Sequence, residues 1–348
     1  MLTLSLLISL FASIVFAQNS GVCGLMCRWR YDPYTYELRI VGQGEMGNFN
    51  YFDVPWRHLH ENVATVSIDN GIVNIGSWSF YTFTNLTSVH FGRNDTYSNS
   101  YSNNPFSNPQ YRLALGNNRH RFFNRFRNDT YYDEYENREY YEYYHDNYDF
   151  YYRDYPGTLR EIGNYAFFGC DKLTFIRIPI GVDKIGEMAF DNCLELNKIL
   201  IPSTVTQIGE SAFHITPIKS IYIPRGVTII EKDTFLGCSN LVNVTLAGPI
   251  TRIKEYAFGW CLNLTQIVLP PSLNTIDKNA FERTKKMKTL IYLGQYAPRC
   301  AQNVFFKNQV LKTVNVTQYY LPSNFCQFVV SRNAQLPRPP FGIGFQRP

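Results

Sequence analysis

An Ile–Phe phrase recurs at a nearly constant spacing along this chain, and that spacing constrains the fold more than any other feature. In each copy the Phe lies five residues after the Ile, usually with Ala directly before it. The copies are Ile75/Phe80, Ile162/Phe167, Ile185/Phe190, Ile208/Phe213, Ile230/Phe235, Ile253/Phe258 and Ile276/Phe281. From Phe167 onward the steps are 23, 23, 22, 23 and 23 residues. Repetition at a fixed period of this length is typical of a solenoid, in which each repeat forms one coil.

Each repeat also contains a strand-like phrase whose apolar residues follow the L-x-x-L-x-L pattern of leucine-rich repeats. These phrases are Leu173-Ile176-Ile178, Leu196-Ile199-Ile201, Ile218-Ile221-Ile223, Leu241-Val244-Leu246, Leu264-Ile267-Leu269 and, with its last apolar residue one position later, Met287-Leu290-Leu293. A Pro often ends the phrase, as at Pro179 and Pro202. Since Pro has no amide hydrogen, it stops the pairing of strands.

The sequence therefore predicts a leucine-rich-repeat solenoid that is mainly β. A parallel sheet is expected on one face, with short strands or helical turns on the other. Because one repeat cannot bury its own apolar side, the Leu, Ile and Phe of successive coils should stack into ladders of a continuous core. The Ala before each Phe leaves room for the ring. Gly at Gly76, Gly163, Gly186 and Gly209 fits a bend that a Cβ would crowd.

Two units, residues 173–195 (LTFIRIPIGVDKIGEMAFDNCLE) and 264–286, resemble the repeat of the BspA-like leucine-rich-repeat surface proteins, whose typical unit reads LTSVTIPSSVTSIGSYAFYGCSS. Residues 36–46 with Pro55-Trp56 resemble the N-terminal cap of that family, and residues 296–300 and 314–326 resemble its closing phrases. The resemblance implies an extracellular or cell-surface protein that binds other proteins or cells. It implies no catalytic residues.

The amino terminus predicts export. Residues 1–17 are uncharged and almost wholly apolar, which is typical of a secretory signal peptide cleaved after Ala17. The alternative is an uncleaved signal anchor, although the apolar run is shorter than the roughly 20 residues that a spanning helix needs. No later segment of the sequence is long and apolar enough to span a bilayer. We therefore expect a secreted or cell-surface protein with no transmembrane span after signal cleavage.

The repeats and the composition divide the chain into segments. They are residues 1–17, a signal peptide; 18–62, an N-terminal cap; 63–92, the first repeats; 93–157, a Tyr/Asn-rich low-complexity insertion; 158–293, the solenoid; 294–330, a C-terminal cap; and 331–348, a Pro-rich tail.

The insertion interrupts the second repeat. The step from Ile178 to Ile185 is 7 residues, whereas the equivalent step from Phe91 to Ile162 is 71. Residues 93–157 hold 14 of the 26 Tyr and 11 Asn, with no Lys. So few aliphatic residues cannot build a core, which predicts a disordered, solvated loop. The alternative is a recognition segment, because Tyr supplies amphipathic contact area at a low cost in entropy.

The eight cysteines fall into two groups. Four share one repeat position, three residues after the Phe, and should form a stacked ladder of buried thiols: Cys170, Cys193, Cys238 and Cys261. The other four lie at the caps, where an exported protein is a candidate for disulfides: Cys23 with Cys27, and Cys300 with Cys326. No metal site is predicted, because Cys-x3-Cys lacks a second pair at ligand spacing and His58-x-His60 stands alone.

Six Asn-x-Ser/Thr sequons are candidates for glycosylation: Asn85, Asn94, Asn128, Asn243, Asn263 and Asn315. Asn243 falls at an outward position of a predicted strand. A glycan there would obstruct the middle of the face on which strand alternation predicts a binding surface.

That face presents one column of outward residues along the solenoid: Ser67, His90, Arg177, Leu200, Tyr222, Thr245, Val268 and Ile291, with Phe175 and Lys198 beside it. Exposed apolar residues in one column favour protein binding, and the ligand-face candidates are Phe175, Arg177, Lys198, Leu200, Tyr222, Val268 and Ile291. The alternative is that the column has only the ordinary mixture of any surface.

The sequence predicts no enzyme and no cofactor. It contains no Gly-x-Ser-x-Gly, no Gly-rich phosphate loop and no His-Glu-x-x-His, and its six His share no repeat position. A net charge of +5 excludes a polybasic arm, so nucleic acid is not an expected partner. We expect an adhesin whose partner is an extracellular, matrix or host-surface protein. The alternatives are a coat antigen for display and immune diversion without a specific ligand, or an intracellular scaffold if the chain is neither cleaved nor glycosylated.

Overall fold

The computed structural model describes residues 19–92 and 158–332. The predicted signal peptide, the insertion with its sequons Asn94 and Asn128, and residues 333–348 of the Pro-rich tail lie outside the described residues.

The described part of the chain is a β-solenoid of about eight turns with parallel sheets and almost no helix, which confirms the predicted fold. Each coil contributes one strand to a first side, here called the long-strand face. Its strands are β1 Ser20–Val22, β2 Cys27–Asp32, β3 Glu37–Gly42, β5 Thr65–Ile68, β7 Ser88–Phe91, β9 Phe175–Arg177, β11 Lys198–Leu200, β13 Ser220–Ile223, β15 Asn243–Leu246, β17 Gln266–Leu269, β19 Thr289–Tyr292, β21 Thr313–Val316, β22 Asn324–Phe325 and β23 Phe328–Ser331.

A second side, the short-strand face, consists of strands of two to four residues. They are β4 Gly44–Glu45, β6 Ile72–Ile75, β8 Glu161–Ile162, β10 Lys184–Ile185, β12 Gln207–Ile208, β14 Ile229–Ile230, β16 Arg252–Ile253, β18 Thr275–Ile276 and β20 Arg299–Cys300. One 3-10 helix, Arg57–Leu59, lies in the N-terminal cap. None of the helices within residues 19–92 and 158–332 is long and apolar enough to cross a membrane.

The sequence period sets the register of the sheets. Strands one repeat apart pair in parallel, with Ile176 beside Ile199, and Ile267 beside Leu290. The sheet orders are β1-β2-β3-β5-β7, β9-β11, β13-β15 and β17-β19-β21-β23-β22 on the long-strand face, and β4-β6-β8-β10-β12 and β14-β16-β18-β20 on the short-strand face. Antiparallel pairing occurs at the two ends, between β1, β2 and β3 and between β22 and β23.

The third side of each coil, here called the turn side, holds the Phe of the repeat. Phe80, Phe167, Phe190, Phe213, Phe235, Phe258, Phe281 and Phe305 form one stack, in which successive ring centroids lie 5.2–5.9 Å apart. The rings from Phe80 to Phe281 are fully buried. The amide of each such Phe also donates to the carbonyl of the residue before the next Phe, as Phe167 does to Ala189 at 2.8 Å. The turn side is therefore hydrogen-bonded from coil to coil although it contains no strand.

Small residues let neighbouring coils approach each other. The Ala before the Phe is buried in five repeats, at Ala166, Ala189, Ala212, Ala257 and Ala280. Where Thr234 replaces it, the Thr hydroxyl donates to the carbonyl of Glu231 at 2.8 Å. A Cβ at Gly163 or Gly209 would lie 2.5–2.6 Å from a backbone nitrogen of the preceding coil. These glycines are thus required for close approach between coils, which is a more specific reason than the predicted bend.

Both described ends of the insertion lie on the same turn. The Gly92 amide donates to the carbonyl of Ile68 at 2.8 Å, and the Thr158 hydroxyl donates to the carbonyl of Ile72 at 2.8 Å. Across this gap in the sequence, the rings of Phe80 and Phe167 stack at 5.2 Å. The repeats on the two sides of the insertion are therefore consecutive coils of one stack.

Each cap closes one end of the core. In the N-terminal cap the rings of Trp29 and Trp56 pack edge to face at 5.8 Å, and Trp56 stacks on Phe80. The structure joins Cys23 to Cys27 and Cys300 to Cys326 in disulfides, with Cα–Cα distances of 5.0 and 5.5 Å. Next to the C-terminal cap, burial raises the pKa of Tyr292 to about 12, and its hydroxyl donates to the carbonyl of Tyr296 at 2.8 Å.

Replacing one ring of the Phe stack should destabilise the whole solenoid. For Phe213→Ala we expect a loss of about 3–5 kcal/mol in the free energy of unfolding, because the stacked coils on both sides prevent the cavity from collapsing. Urea unfolding followed by circular dichroism measures this loss. The matched control is Phe306→Ala, whose ring is 44% exposed and should change stability little. Equal effects of the two substitutions would contradict the central role of the stack.

Deleting residues 93–156 should leave the solenoid intact. The deletion leaves Gly92, Gly157 and Thr158 between Phe91 and Leu159, the same number of residues as Pro179, Ile180 and Gly181 between Ile178 and Val182. We expect the midpoint of thermal unfolding to stay within about 4 °C of that of the full chain, since ~1 kcal/mol produces such a shift in a domain of this size. Loss of cooperative unfolding would show that the insertion contributes to the core.

Candidate functional site

The long-strand face aligns the ligand-face candidates in two columns. Phe175 pairs with Lys198 in one column, and Arg177 pairs with Leu200 in the other. Further along the solenoid Tyr222 pairs with Thr245, and Val268 pairs with Ile291. Residues two apart on a strand point to the same side of a sheet, so both columns face away from the core.

Most of these side chains are accessible. Phe175 is 40% exposed, Lys198 is exposed, and the Lys198 ammonium lies 5.9 Å from the centroid of the Phe175 ring. Arg177, Leu200, Tyr222 and Val268 are half-buried. The structure thus brings aromatic, aliphatic and basic groups together on neighbouring strands, a combination that is common at protein-binding surfaces.

Two members of the predicted column are buried, and for them the predicted exposure is wrong. Ile291 is only 5% exposed, because Val268 and Asn315 flank it in register on the neighbouring strands. Ser67 is 3% exposed, and its hydroxyl donates to the Glu37 carboxylate, which Arg39 pairs with at 3.0 Å. Alternation correctly predicts the direction of these side chains, but it does not reveal how closely their neighbours cover them. The accessible part of the column is therefore shorter than predicted.

The four described sequons occupy different environments. Asn243 lies exposed on β15 opposite Ser220, Asn315 lies half-buried on β21 opposite Ile291, and Asn263 is half-buried in a turn. The Asn85 amide is engaged, because its Nδ2 donates to the carbonyl of Glu61 and its Oδ1 accepts from Lys172, both at 2.6 Å. A glycan on Asn243 would stand beside Tyr222 and Thr245.

The four repeat cysteines are buried free thiols, as the repeat position predicts. Each Sγ donates to the carbonyl of the Phe of the preceding coil at 3.1–3.2 Å, as Cys193 does to Phe167. Where Thr216 takes the place of Cys, its hydroxyl donates to the carbonyl of Phe213 at 2.8 Å. Burial raises the pKa of the Cys238 thiol to about 12 and raises the pKa of the other three as well. These thiols therefore act as parts of the core.

A second surface lies on the turn side, and the sequence reasoning missed it. We call it the aromatic platform and define it as Tyr51, Trp78, Tyr81, Tyr165 and Phe168. Trp78 stacks on Tyr165 at 4.3 Å, and Tyr81 stacks on Phe168 at 4.8 Å. Tyr51 is 37% exposed and the other four are half-buried. The signal available in the sequence is that two repeats, Trp78/Tyr81 and Tyr165/Phe168, carry aromatic residues both two residues before and one after the core Phe.

No arrangement typical of a catalytic site accompanies these surfaces. Two surface hollows, of about 350 and 390 Å3, lie on the turn side near Trp260 and on the short-strand face near Gln207. Lys232 of the first hollow forms an ion pair with Glu210 of the second at 2.9 Å. Among the described residues, no three His, Cys, Asp or Glu side chains are grouped to hold a metal ion.

Comparisons with known proteins agree with the architecture. The family model described as "BspA type Leucine rich repeat region" matches in six copies, over residues 58–114, 139–251 and 228–326. A solved leucine-rich repeat protein from Bacteroides ovatus is 19% identical, covering 84% of this chain and 70% of that chain with a TM-score of 0.44. A leucine rich cell surface protein from Faecalibacterium prausnitzii is 16% identical, covering 85% of this chain and 88% of that chain with a TM-score of 0.38. Among curated proteins there is no match.

The folded chain should protect its four repeat thiols from alkylation. At about pH 8 we expect iodoacetamide to modify none of them before unfolding, because burial blocks access and the raised pKa keeps the thiolate fraction small. Peptide mass spectrometry should detect all four as alkylated after urea denaturation. The cap cysteines serve as the control, since their disulfides should react only after reduction. Burial of the neutral thiols also stabilises the folded chain. This stabilisation is complete at pH values below the thiol pKa of the unfolded chain, and it is lost as the pH rises through the higher thiol pKa of the folded chain.

Proposed function

Since this chain belongs to the family of BspA-type leucine-rich-repeat proteins, we propose that it is an exported protein, secreted or retained at the cell surface, that binds other proteins or cells through its long-strand face. Proteins of this family are typically at the cell surface or secreted, and the fold is consistent with protein–protein interaction. The matched family is one of repeat proteins and indicates no catalytic activity.

The observation that carries the proposal is the composition of the accessible columns. Leu200, Tyr222 and Val268 place apolar and aromatic surface along the centre, and Phe175 with Lys198 lies beside them. The strands that hold these groups are parts of a hydrogen-bonded stack, so little conformational entropy remains to be lost when a partner binds. Trp, Tyr and Arg are the residues that most often dominate the binding energy of protein interfaces, and the columns contain Tyr222 and Arg177.

Three features support export. The apolar residues 1–17 precede a cap that contains a disulfide, a second disulfide lies in the other cap, and the described chain carries sequons on its surface. Disulfides form and persist in oxidising compartments outside the cytosol. We accordingly propose glycosylation at exposed sequons, of which Asn243 is the most accessible described example.

One observation favours the second candidate function, a coat antigen that displays its surface without a specific ligand. Asn243 and Asn315 both lie on strands of the long-strand face. Glycans on both residues would cover part of the surface to which a protein partner would bind. Under this alternative the repeats provide spacing and display, and adhesion does not depend on the residues of the columns.

A triple substitution on the long-strand face separates the two functions. We expect Arg177→Ser, Leu200→Ser and Tyr222→Ser together to lower adhesion to epithelial cells and to plates coated with extracellular-matrix protein by about tenfold, because the substitutions remove a central anchor cluster. The readout is the dose dependence of binding of the purified protein.

The matched control places the same number of substitutions on the short-strand face, at Lys184→Ser, Gln207→Ser and Ile229→Ser, where adhesion should not change. Unaltered adhesion of the triple variant on the long-strand face would contradict the proposal that this face binds a partner. If the unsubstituted protein adheres in neither assay although it is present on the cell surface, the coat-antigen function is favoured.

A further inference from the structure

The aromatic platform is not required by the fold. Four of its five residues occupy two repeat positions, two before and one after the core Phe, and Tyr51 comes from the residues before the first repeat, so the platform is separate from the buried stack. Later coils fill the same two positions mostly with other residues: Met188 and Asp191, Ser211 and His214, and Asn279 and Glu282. The solenoid stacks equally well there, with core rings 5.3–5.9 Å apart. The stacking of the coils therefore does not explain why two consecutive coils carry aromatic residues at these positions.

The platform also places large rings where the backbone disfavours them. Trp78 and Tyr165 have φ values of 64° and 57°, in the left-handed region where a bulky side chain is strained. The same repeat position is left-handed in other coils as well, with φ values of 50° at Met188, 53° at Tyr256, and 57° and 59° at Asn279 and Asn303. The left-handed turn is therefore a property of the repeat, and Asn is the residue that tolerates it best.

The side of the platform toward the C-terminal coils is acidic. The Tyr165 hydroxyl donates to Oε1 of Glu187 at 3.3 Å, and within residues 19–92 and 158–332 no basic side chain forms an ion pair with Glu187. Asp191, the equivalent of Phe168 in the next coil, is only 5% exposed and contacts His214 at 3.0 Å, so Glu187 supplies the accessible negative charge at this margin. Burial first, and then Glu187, raises the pKa of Tyr165, which agrees with negative charge at this margin.

Arg57 contacts the platform and has a structural role. The Arg57 guanidinium lies 4.2 Å from the Tyr51 ring centroid, and its Nη1 donates to the carbonyl of Tyr81 and to the hydroxyl of Thr82, both at 3.1 Å. Arg57 therefore holds Tyr51 against the platform. It also shows that the Tyr51 ring accepts a guanidinium on one face.

We infer that the aromatic platform is a docking surface for an extended basic segment of a partner protein. An Arg or Lys side chain of that segment lies against Glu187 and the outer edge of Tyr165, while apolar residues of the segment cover Tyr51, Trp78 and Tyr81. Coils repeat every ~4.8 Å and an extended chain rises ~3.3 Å per residue, so about five residues span the surface from Tyr51 to Glu187. This surface is on the turn side and goes beyond the function proposed for the long-strand face.

Two synthetic peptides test the inference with the full chain. One is four repeats of Arg-Pro-Ala, and the other is four repeats of Glu-Pro-Ala. We expect the full-length protein to bind the basic peptide and not the acidic one, with an affinity that falls as salt is added, because salt screens exposed charges. Isothermal titration calorimetry measures both affinities, and maltohexaose serves as a neutral oligosaccharide probe.

Matched variants locate the binding. Trp78→Asn with Tyr165→Asn, and separately Glu187→Lys, should each weaken binding of the basic peptide by about tenfold or more. The Asn variant should fold, because Asn279 and Asn303 occupy the same repeat position with similar φ values. The controls are Tyr256→Asn and Glu255→Lys, at the same two repeat positions in another coil, and they should bind like the unsubstituted protein.

The inference is overturned if the unsubstituted protein does not bind the basic peptide at millimolar concentration, if the acidic peptide binds equally well, or if the platform variants and the controls behave alike. Loss of maltohexaose binding alone in the Asn variant would also overturn it and would indicate a glycan-binding surface. The triple variant Arg177→Ser, Leu200→Ser and Tyr222→Ser should keep its affinity for the basic peptide. A negative result for the aromatic platform in the peptide assay is therefore distinguishable from a negative result for the long-strand face in the adhesion assay.

Discussion

The stacking of one coil upon the next is the interaction on which the rest of this structure depends. A single repeat exposes its Ile, Leu and Phe side chains and has no core until a neighbour covers them. The Phe stack supplies that cover on the turn side, where each ring lies within 5.9 Å of the next and each Phe amide donates to the following coil. On the other two sides of the coil, the two sheets cover these apolar side chains. Because every coil contacts only its neighbours, both ends need special residues, which explains the Trp pair and the antiparallel strands of the caps.

Because the Phe stack and the two sheets involve only inward residues, the outward positions are free to vary. The repeat dictates the Phe, the residue before it and the inward residues of the strands, and the remaining positions can change without loss of stacking. The two proposed binding surfaces consist of such positions on different sides of the coil. On the long-strand face, Leu200 and Tyr222 lie on adjacent coils, whereas the aromatic platform combines Trp78 and Tyr81 with Tyr165 and Phe168. Both proposed surfaces therefore depend on residues that differ from one repeat to the next.

The same logic explains how the chain accommodates a long insertion. Gly92 and Thr158 both bond to the turn at residues 68–72, so the described residues on the two sides of the insertion lie at one corner of the solenoid. The entropy of closing a loop grows only slowly with its length, so a long insertion at a corner is tolerated when its ends are held together. The coils before and after the corner then stack as if they were adjacent in sequence, with Phe80 against Phe167.

The repeat spacing is enough to predict the solenoid, the register of its strands and the Phe and Cys ladders, because a fixed period places equivalent residues of successive repeats in contact. Strand alternation also predicts which side chains of the long-strand face point outward. The burial of Ile291 and Ser67 follows only from the tertiary structure, since it depends on the size and pairing of residues on neighbouring strands. Only the tertiary structure could bring Trp78 beside Tyr165, because those residues are 87 positions apart in the sequence and meet through the closure of a corner. Periodicity describes what the repeats share, whereas the candidate sites depend on how their differences meet in space.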